Sequence, residues 1–123
     1  MSENVKTVNY DAIKSISQGN AHDGRELAIV DVRNPHEFEA GAIPGAINIP
    51  LPKLQAGEGL SAEDFRNQYL KDLPAPTDAG KGIVIHCQMG GRASKAVNIL
   101  ESKGYTDNLY IYKPGYSEFA AKS

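Results

Sequence analysis

The stretch IVIHCQMGGRAS, residues 83–94, decides the fold because two different periodicities meet in it. Ile83–Ile85 is an apolar β-branched run, typical of a buried strand in a parallel sheet. Beyond it, small and apolar residues recur at the i, i+3, i+4, i+7 spacing of a helix that faces a core: Ala93, Ala96, Val97 and Leu100. Cys87–Arg92 is therefore predicted to be a tight turn from a strand into a helix.

This turn has the residues of an anion-binding site. Gly90 and Gly91 allow positive φ angles, which can aim successive backbone N–H groups inward. The N-terminus of the following helix adds about half a positive charge at the same point. Cys87, the only cysteine, lies at the lip of this cradle, where every neighbour favours the thiolate. The sequence thus predicts a solvent-accessible nucleophile surrounded by peptide groups that point inward.

Length, charge and cysteine content limit the class of protein. The 123 residues suffice for one domain with a real core. The net charge is −2 without a basic stripe, so no nucleic-acid partner is expected. No run could span a membrane, and Met1–Lys6 is too short and polar for a signal peptide. One cysteine excludes an internal disulfide and fits a reducing compartment. We expect a cytoplasmic monomer, with a mitochondrial location as the alternative.

Strand and helix signals alternate along the chain. The predicted strands are Val5–Val8, Leu27–Val32, Ala46–Ile49, Ile83–Ile85 and Leu109–Tyr112. The predicted helices are Asn9–Gly19, Asn34–Gly41, Ser61–Leu73, Arg92–Gly104 and Tyr116–Ala121. In the third of these helices, Phe65, Tyr69 and Leu73 are expected to face the core, and the Pro-rich segment from Leu73 to Gly82 is predicted to be a surface loop. The alternation predicts an α/β fold with a central parallel sheet of about five strands and helices on both faces.

The length of the turn separates two chemistries. Ligands of such sheets bind beyond the carboxyl ends of strands, where Cys87 and Arg33 are both expected. Cysteine phosphatases and arsenate reductases have five residues between cysteine and arginine, and their larger ring of N–H groups surrounds a tetrahedral oxyanion. Here four residues separate Cys87 from Arg92. The smaller ring favours one extra sulfur atom, a persulfide, over a phosphate.

Three blocks of sequence resemble the single-domain rhodanese family from about Thr7 to Phe119. Residues 29–38, IVDVRNPHEF, are similar to the family's D-x-R-x-x-x-E-[FY]. Residues 43–50, IPGAINIP, are similar to H-I-P-G-A-x-N-[IV]-P, although Ala42 replaces the histidine. Residues 86–94, HCQMGGRAS, are similar to C-x-x-G-x-R. The opening CQMG and the insert at residues 59–73 most resemble small eukaryotic thiosulfate sulfurtransferases that use glutathione as acceptor.

The chain departs from the family pattern in three further places. Pro114-Gly115 stands where the family commonly has Gly-Gly after the last strand, and Phe119 stands where it usually has Trp. These are packing changes that leave the cysteine turn alone. Gln88 replaces a cationic residue common in thiosulfate-active members, which removes one positive charge near the mouth of the turn.

The resemblance implies that residues 1–123 are a single rhodanese domain with a three-layer fold. Its implied reaction is double displacement: Cys87 takes the outer sulfur of thiosulfate as a persulfide, and glutathione, another small thiol or cyanide removes it. No metal or organic cofactor is required. Cys87 is the implied catalytic residue, and the implied substrate-binding residues are Gln88, Met89, Gly90, Gly91, Arg92 and Arg33. For Arg92, contact with the donor's oxyanion and bracing of the turn both stay open.

Other interpretations of these residues lead to different proteins. One is a phosphatase or arsenate reductase on the same fold, and another is a carrier that relays a persulfide between proteins. Asp31 and Arg33 are expected to form an ion pair that braces the turn. His86 cannot easily reach the thiol, because adjacent strand residues point to opposite faces. His22 and His36 lie apart, so no metal-ligand spacing is present.

Overall fold

The strand–turn–helix at residues 81–102 lies at the centre of a five-stranded parallel sheet. The computed structural model describes residues 5–123, so the first four residues of the Met1–Lys6 segment lie outside the described part. Within it the strands are β1 Lys6–Thr7, β2 Glu26–Asp31, β3 Ile47–Asn48, β4 Lys81–His86 and β5 Leu109–Ile111. The helices in the same range are α1 Tyr10–Ser17, α2 Pro35–Ala40, α3 Leu51–Ala56, α4 Ala62–Tyr69, α5 Gly91–Ser102 and α6 Gly115–Lys122.

The order of the strands brings the two predicted site segments to one edge. The strand order is β1-β5-β4-β2-β3, and every pair is parallel. The register of β2 and β4 places Asp31 beside His86. Arg33 and Cys87 therefore leave the sheet side by side at its carboxyl end, where parallel α/β folds bind their ligands.

Each face of the sheet is covered by helices, as the alternation of elements predicts. One core cluster joins β4 to α3, α4 and α5 and includes Ile83, Ile85 and Cys87. The other joins Val84 of β4 to α1 and α6, which supply Ile13 and Phe119. Alternate residues of one strand serve opposite faces. The predicted parallel sheet with helices on both faces is confirmed.

Local capping signals placed the helix starts correctly. The Asn9 side chain accepts a hydrogen bond from the Ala12 N–H at the start of α1, at 2.9 Å. Ser61 Oγ accepts from the Asp64 N–H at the start of α4, at 3.1 Å. At α2, the backbone N–H of Asn34 donates to the Glu37 carboxylate at 3.1 Å. Each bond satisfies a group that a helix end or its flanking turn would otherwise leave open.

Two stretches differ from the prediction. Helix α3 was missed, because proline at positions 50 and 52 suggests a turn, although proline is well tolerated in the first turn of a helix. Helix α4 ends at Tyr69, before Leu73, and Pro74 disfavours a helical conformation at Leu73 itself. Leu73 is nevertheless buried, from the loop that follows. No helix among residues 5–123 is long and apolar enough to cross a membrane.

The unexpected helix α3 gives a test of the packing behind the cysteine turn. Leu54 of α3 is fully buried in the cluster that also contains Cys87 and α5. We expect Leu54→Ala to lower the free energy of unfolding by about 2–5 kcal/mol, because it removes buried methyl groups and leaves a cavity. Urea unfolding measures the loss. The control is the exposed neighbour Gln55, for which Gln55→Ala should change stability by less than about 0.5 kcal/mol. Equal effects of the two substitutions would contradict the packing of α3.

Candidate active site

The sulfur of Cys87 lies among main-chain donors. Cys87 follows β4, and its Sγ accepts hydrogen bonds from the N–H of Gly90 at 3.0 Å and of Ala93 at 3.3 Å. The first donor belongs to the turn, and the second to the first turn of α5. We call residues 87–92 the cysteine loop. Its N–H groups at Gly90 and at the helix start point inward, as expected for a loop that stabilises negative charge on sulfur.

The thiol is less accessible than the sequence indicated. Cys87 is 1% exposed, so the expectation of a solvent-accessible nucleophile at the lip of the cradle is wrong for this structure. The reason is strand alternation: Cys87 shares a face with Ile83 and Ile85 and packs into the same cluster beneath α5. The tip of the loop is open instead, since Met89 is 77% exposed. Cys87 therefore forms the floor of the cradle and Met89 its rim.

Gly90 and Gly91 meet different structural requirements in the loop. Gly90 has a φ of 102°, and a Cβ at this position would lie 2.7 Å from the Lys113 carbonyl oxygen. Both facts exclude a side chain, because L residues are strained at positive φ and the contact is with rigid backbone. A Cβ on Gly91 would meet no atom within 4 Å. Gly91 thus only begins α5.

Arg92 is paired with a carboxylate of α2. Its Nη1 and Nη2 donate to the two Glu37 carboxylate oxygens at 2.6 and 3.0 Å, with the two side chains 33% and 24% exposed. The hydrogen bond from Arg92 lowers the pKa of Glu37 from 4.5 to about 2, and the same bond raises the pKa of Arg92. This fork ties the start of α5 to α2 across the mouth of the loop.

Arg33 is buried in a network beside the loop. It is 2% exposed and donates through Nε and Nη2 to the Asp31 carboxylate at 2.7–3.1 Å, and through Nη2 to the Gly41 carbonyl at 2.7 Å. Its guanidinium lies 4.4 Å from the centre of the Tyr116 ring, and Nη1 is 3.4 Å from Gln88 Oε1. The structure therefore places Arg33 as a brace for the loop and leaves it little surface for a substrate to contact.

His86 lies on the opposite face of the sheet from the thiol. Its Nδ1 is 3.1 Å from the Cys87 carbonyl oxygen, and its Nε2 is 3.8 Å from Asp31 Oδ2, without a hydrogen bond. Burial lowers the pKa of His86, which keeps the ring neutral. A carbonyl can only accept, so Nδ1 is the protonated nitrogen in this contact. His86 supports the backbone of Cys87 and does not reach its sulfur.

Several residues at the site were not predicted as functional. Tyr116 N–H donates to the Cys87 carbonyl at 2.9 Å, and Ser117 N–H donates to the Gln88 carbonyl at 3.1 Å. The Ala93 N–H, which donates to the Cys87 sulfur, and the Glu37 carboxylate, which accepts from Arg92, were also not predicted. Main-chain donors have no residue signature, so sequence could not show them. Glu37 did have a signal, as part of the block at residues 29–38. Within residues 5–123 no three His, Cys, Asp or Glu side chains converge as metal ligands would.

Comparison with known proteins agrees with this geometry. The family model described as Rhodanese-like domain matches residues 10–122. The human protein named thiosulfate:glutathione sulfurtransferase is 35% identical over 94 residues, which cover 76% of this chain and 79% of the relative. A protein of Schizosaccharomyces pombe named putative thiosulfate sulfurtransferase, mitochondrial, is 30% identical over 120 residues, 98% of this chain and 81% of the relative.

Structural similarity extends over the whole domain. The structure of the human single-domain sulfurtransferase TSTD1 has a TM-score of 0.70 and 31% identity, and the match covers 97% of this chain and 98% of the other. A phosphatase also matches: human M-phase inducer phosphatase 1 is 30% identical over 132 residues, but the match covers only 23% of that protein. That phosphatase match covers 98% of this chain, whereas the sulfurtransferase matches cover three quarters or more of both proteins, and the family model covers residues 10–122. The chain therefore belongs to the rhodanese-type sulfurtransferase family.

Proposed function

We propose that this sulfurtransferase takes the outer sulfur of thiosulfate and passes it to a small thiol, with glutathione as the main acceptor and cyanide as a second one. The single observation behind the proposal is the contact of Cys87 Sγ with the Gly90 N–H at 3.0 Å in a loop with only four residues between Cys87 and Arg92. Support for the choice of substrates comes from the human relative, which is named for thiosulfate and glutathione.

The proposed reaction has two displacements at sulfur. The Cys87 thiolate attacks the outer sulfur of thiosulfate, a new S–S bond forms, and sulfite leaves with the electron pair of the old one. The glutathione thiolate then attacks the outer sulfur of the Cys87 persulfide and releases the Cys87 thiolate again. Negative charge stays on sulfur throughout, near the N–H groups of Gly90 and Ala93 and the start of α5. This is covalent catalysis with preorganised electrostatic stabilisation.

The burial of Cys87 adds a requirement to the mechanism. With 1% exposure, the sulfur cannot meet thiosulfate unless the cysteine loop moves. Met89 is 77% exposed, and among the described residues no backbone hydrogen bond joins it to another element. We propose that a transient opening of the loop admits the donor, and that the Gly90 N–H returns to the sulfur when the loop closes.

The charged residues have proposed roles that differ from the sequence prediction. Arg33 and Arg92 each hold a carboxylate, Asp31 and Glu37 respectively. The proposal therefore assigns recognition of the anionic donor mainly to main-chain N–H groups. Arg33 and Arg92 are proposed to fix the position of the loop, and Gln88, which contacts Arg33, is proposed to support that brace. The protein is proposed to act as a monomer in the cytoplasm, with mitochondria as the alternative, because the S. pombe relative is named mitochondrial.

Two alternatives each have one observation in their favour. The match to M-phase inducer phosphatase 1 favours phosphate chemistry, although the loop is one residue shorter than a Cys-x5-Arg loop. The exposed thioether of Met89 at the rim favours contact with a protein surface, as in a persulfide relay. Hydrolysis of an aryl phosphate that depends on Cys87 would support the first alternative. Persulfidation by a cysteine desulfurase without turnover of thiosulfate would support the second.

The first prediction concerns the covalent intermediate. Incubation with thiosulfate should add the mass of one sulfur atom to the protein and release one sulfite, and Cys87→Ser should abolish both. Intact-protein mass spectrometry and a sulfite assay measure the two products. Met89→Ala is the control at the rim: it keeps the nucleophile and the main-chain donors, so the mass gain should remain. An unmodified wild-type protein and no sulfite would refute the proposed function.

The second prediction concerns the acceptor. Steady-state assays with thiosulfate should show turnover with glutathione and with cyanide, and a higher kcat/KM for glutathione. The physical reason is that thiolates are strong nucleophiles toward the sulfur of an S–S bond, so glutathione should attack the outer sulfur of the persulfide efficiently. Persulfide that forms but is not released to either acceptor would contradict the proposed acceptors.

The third prediction tests the brace at Arg92. Glu37→Gln should lower the free energy of unfolding at pH 7 by about 1 kcal/mol, the upper range for a partly exposed ion pair. The folded-state pKa of Glu37 is about 2 against an ordinary 4.5, so the pair stabilises the folded state above pH 4.5 and loses this effect as the pH falls toward 2. Urea unfolding from pH 7 to 3 should show the difference shrinking with acid.

The control for this test lies on the same helix. Glu39 of α2 is exposed, and Glu39→Gln should leave the stability nearly unchanged at each pH. A difference between wild type and Glu37→Gln that stays constant or grows toward acid would contradict the ion pair.

A further inference from the structure

The N-terminus of α6 contacts the outer side of the cysteine loop. We propose that Gly115, with the backbone N–H groups of Tyr116 and Ser117, is a positioning element that sets the direction of the loop's inner N–H groups. Tyr116 N–H donates to the Cys87 carbonyl at 2.9 Å, and Ser117 N–H donates to the Gln88 carbonyl at 3.1 Å. The consequence for catalysis rests on the proposed function, whereas the consequence for the thiol itself does not.

The geometry of the peptide group means that these two hydrogen bonds also fix the direction of the N–H groups of Gln88 and Met89. In a trans peptide, the C=O of one residue and the N–H of the next point in opposite directions, and residues 5–123 contain no cis peptide. Because α6 holds the carbonyls of Cys87 and Gln88, the N–H groups of Gln88 and Met89 must point away from α6. The Cys87 side chain lies on that same side, in the cluster beneath α5.

Gly115 is the residue that allows this close approach. Its φ is 71°, and a Cβ at this position would overlap the Cys87 carbonyl oxygen and lie 2.5 Å from the Gln88 carbonyl oxygen. A side chain here would push the helix start and the loop apart. Position 115 therefore requires glycine for two reasons: its backbone is in the left-handed conformation, and it lies close to two carbonyl oxygens.

Helix α6 is anchored by contacts outside the loop, so it can act as a reference point. Phe119 is buried in the second core cluster and packs 5.8 Å from the ring of Tyr10. Glu118 accepts a hydrogen bond from Tyr112 Oη at 2.8 Å, and the Tyr116 ring lies on Arg33. These contacts fix α6 against β5, α1 and the segment after β2, and the loop carbonyls dock on a rigid helix end.

The direction of the Gln88 and Met89 N–H groups affects the reaction rate, because in the proposal they face the negative charge that develops on the Cys87 sulfur. Donors fixed in place before the reaction stabilise an anion without a cost of reorganisation, and loss of one such donor lowers kcat by about 100-fold to 1,000-fold. A donor that is turned but not removed should have a smaller effect. Release of the Gln88 carbonyl from α6 is therefore expected to slow reactions of the Cys87 thiolate by about tenfold.

Two substitutions at Ser117 differ in whether the hydrogen bond to the Gln88 carbonyl can form. Ser117 is exposed and lies in the first turn of α6, where proline is tolerated, so Ser117→Pro deletes the N–H that bonds Gln88. Ser117→Ala keeps this N–H and is the matched control. The first readout is the alkylation rate of Cys87, the sole cysteine, by iodoacetamide at pH 7. The second is kcat and KM for thiosulfate, and thermal unfolding checks that both variants are folded.

The expected result distinguishes an effect on the direction of the loop N–H groups from a loss of folded protein. Ser117→Pro should lower the alkylation rate and kcat/KM for thiosulfate about tenfold, because the N–H groups of Gln88 and Met89 act on the charged sulfur and on the anionic donor. Ser117→Ala should match wild type. A folded Ser117→Pro protein with the wild-type alkylation rate would overturn the proposal. Alkylation needs no thiosulfate, so a slowed rate in a protein that cannot use thiosulfate would support positioning and refute the proposed function separately.

A second pair of substitutions, at Gly115 and Gly19, tests the positioning proposal if Ser117→Pro does not fold. Gly115→Ala adds a Cβ against the loop carbonyls, whereas Gly19→Ala adds one at a similar φ of 92° with no atom within 4 Å. Both variants have the strain of a positive φ, but only the first disturbs the cysteine loop. We expect slower alkylation in Gly115→Ala and the wild-type rate in Gly19→Ala. Equal rates in these two variants would overturn the proposal.

Discussion

The hydrogen bonds from main-chain N–H groups to the Cys87 sulfur are the interaction on which the site depends. Cys87 is 1% exposed, so negative charge that develops on its sulfur in the proposed reaction has little water around it and needs donors from the protein. Gly90 and Ala93 supply them, because β4 ends one residue before Cys87 and α5 begins four residues after it. The strand, the turn and the helix are thus arranged so that two main-chain N–H groups, of Gly90 and Ala93, point at one sulfur atom.

The side chains around the loop support this backbone and add no net positive charge of their own. Arg33 is paired with Asp31, and Arg92 with Glu37. Each pair joins a segment of the β2–α2 region to the loop or to the start of α5. Ion pairs of this kind contribute geometry more than free energy, since desolvation offsets much of their attraction. Affinity for an anion is then left to the N–H groups and the helix N-terminus, which matches the absence of a cation at Gln88.

Sequence reasoning succeeded where a local pattern determines the structure. The apolar runs and the caps at Asn9 and Ser61 gave the sheet, the order of elements and the position of Cys87. It failed where distant backbone atoms meet. The bond from Tyr116 N–H to the Cys87 carbonyl uses groups that every residue except proline possesses, so no residue type marks it. The depth of the thiol was missed for a related reason, because exposure depends on how α5 packs over the strand end.

The same contacts indicate which part of the loop can move. Residues 113–117 contact the loop on both sides of Met89. Gly90 lies close to the Lys113 carbonyl, and the carbonyls of Cys87 and Gln88 accept hydrogen bonds from the N-terminus of α6. Met89 lies between these fixed points and is 77% exposed. Both peptide groups that flank Met89 are held, one through the Gln88 carbonyl on α6 and the other through the Gly90 N–H on the sulfur, so only the Met89 side chain lies outside these contacts. Exposure of the sulfur therefore requires at least one of these backbone contacts to open, so the contacts that hold the N–H groups near the sulfur also limit access to it.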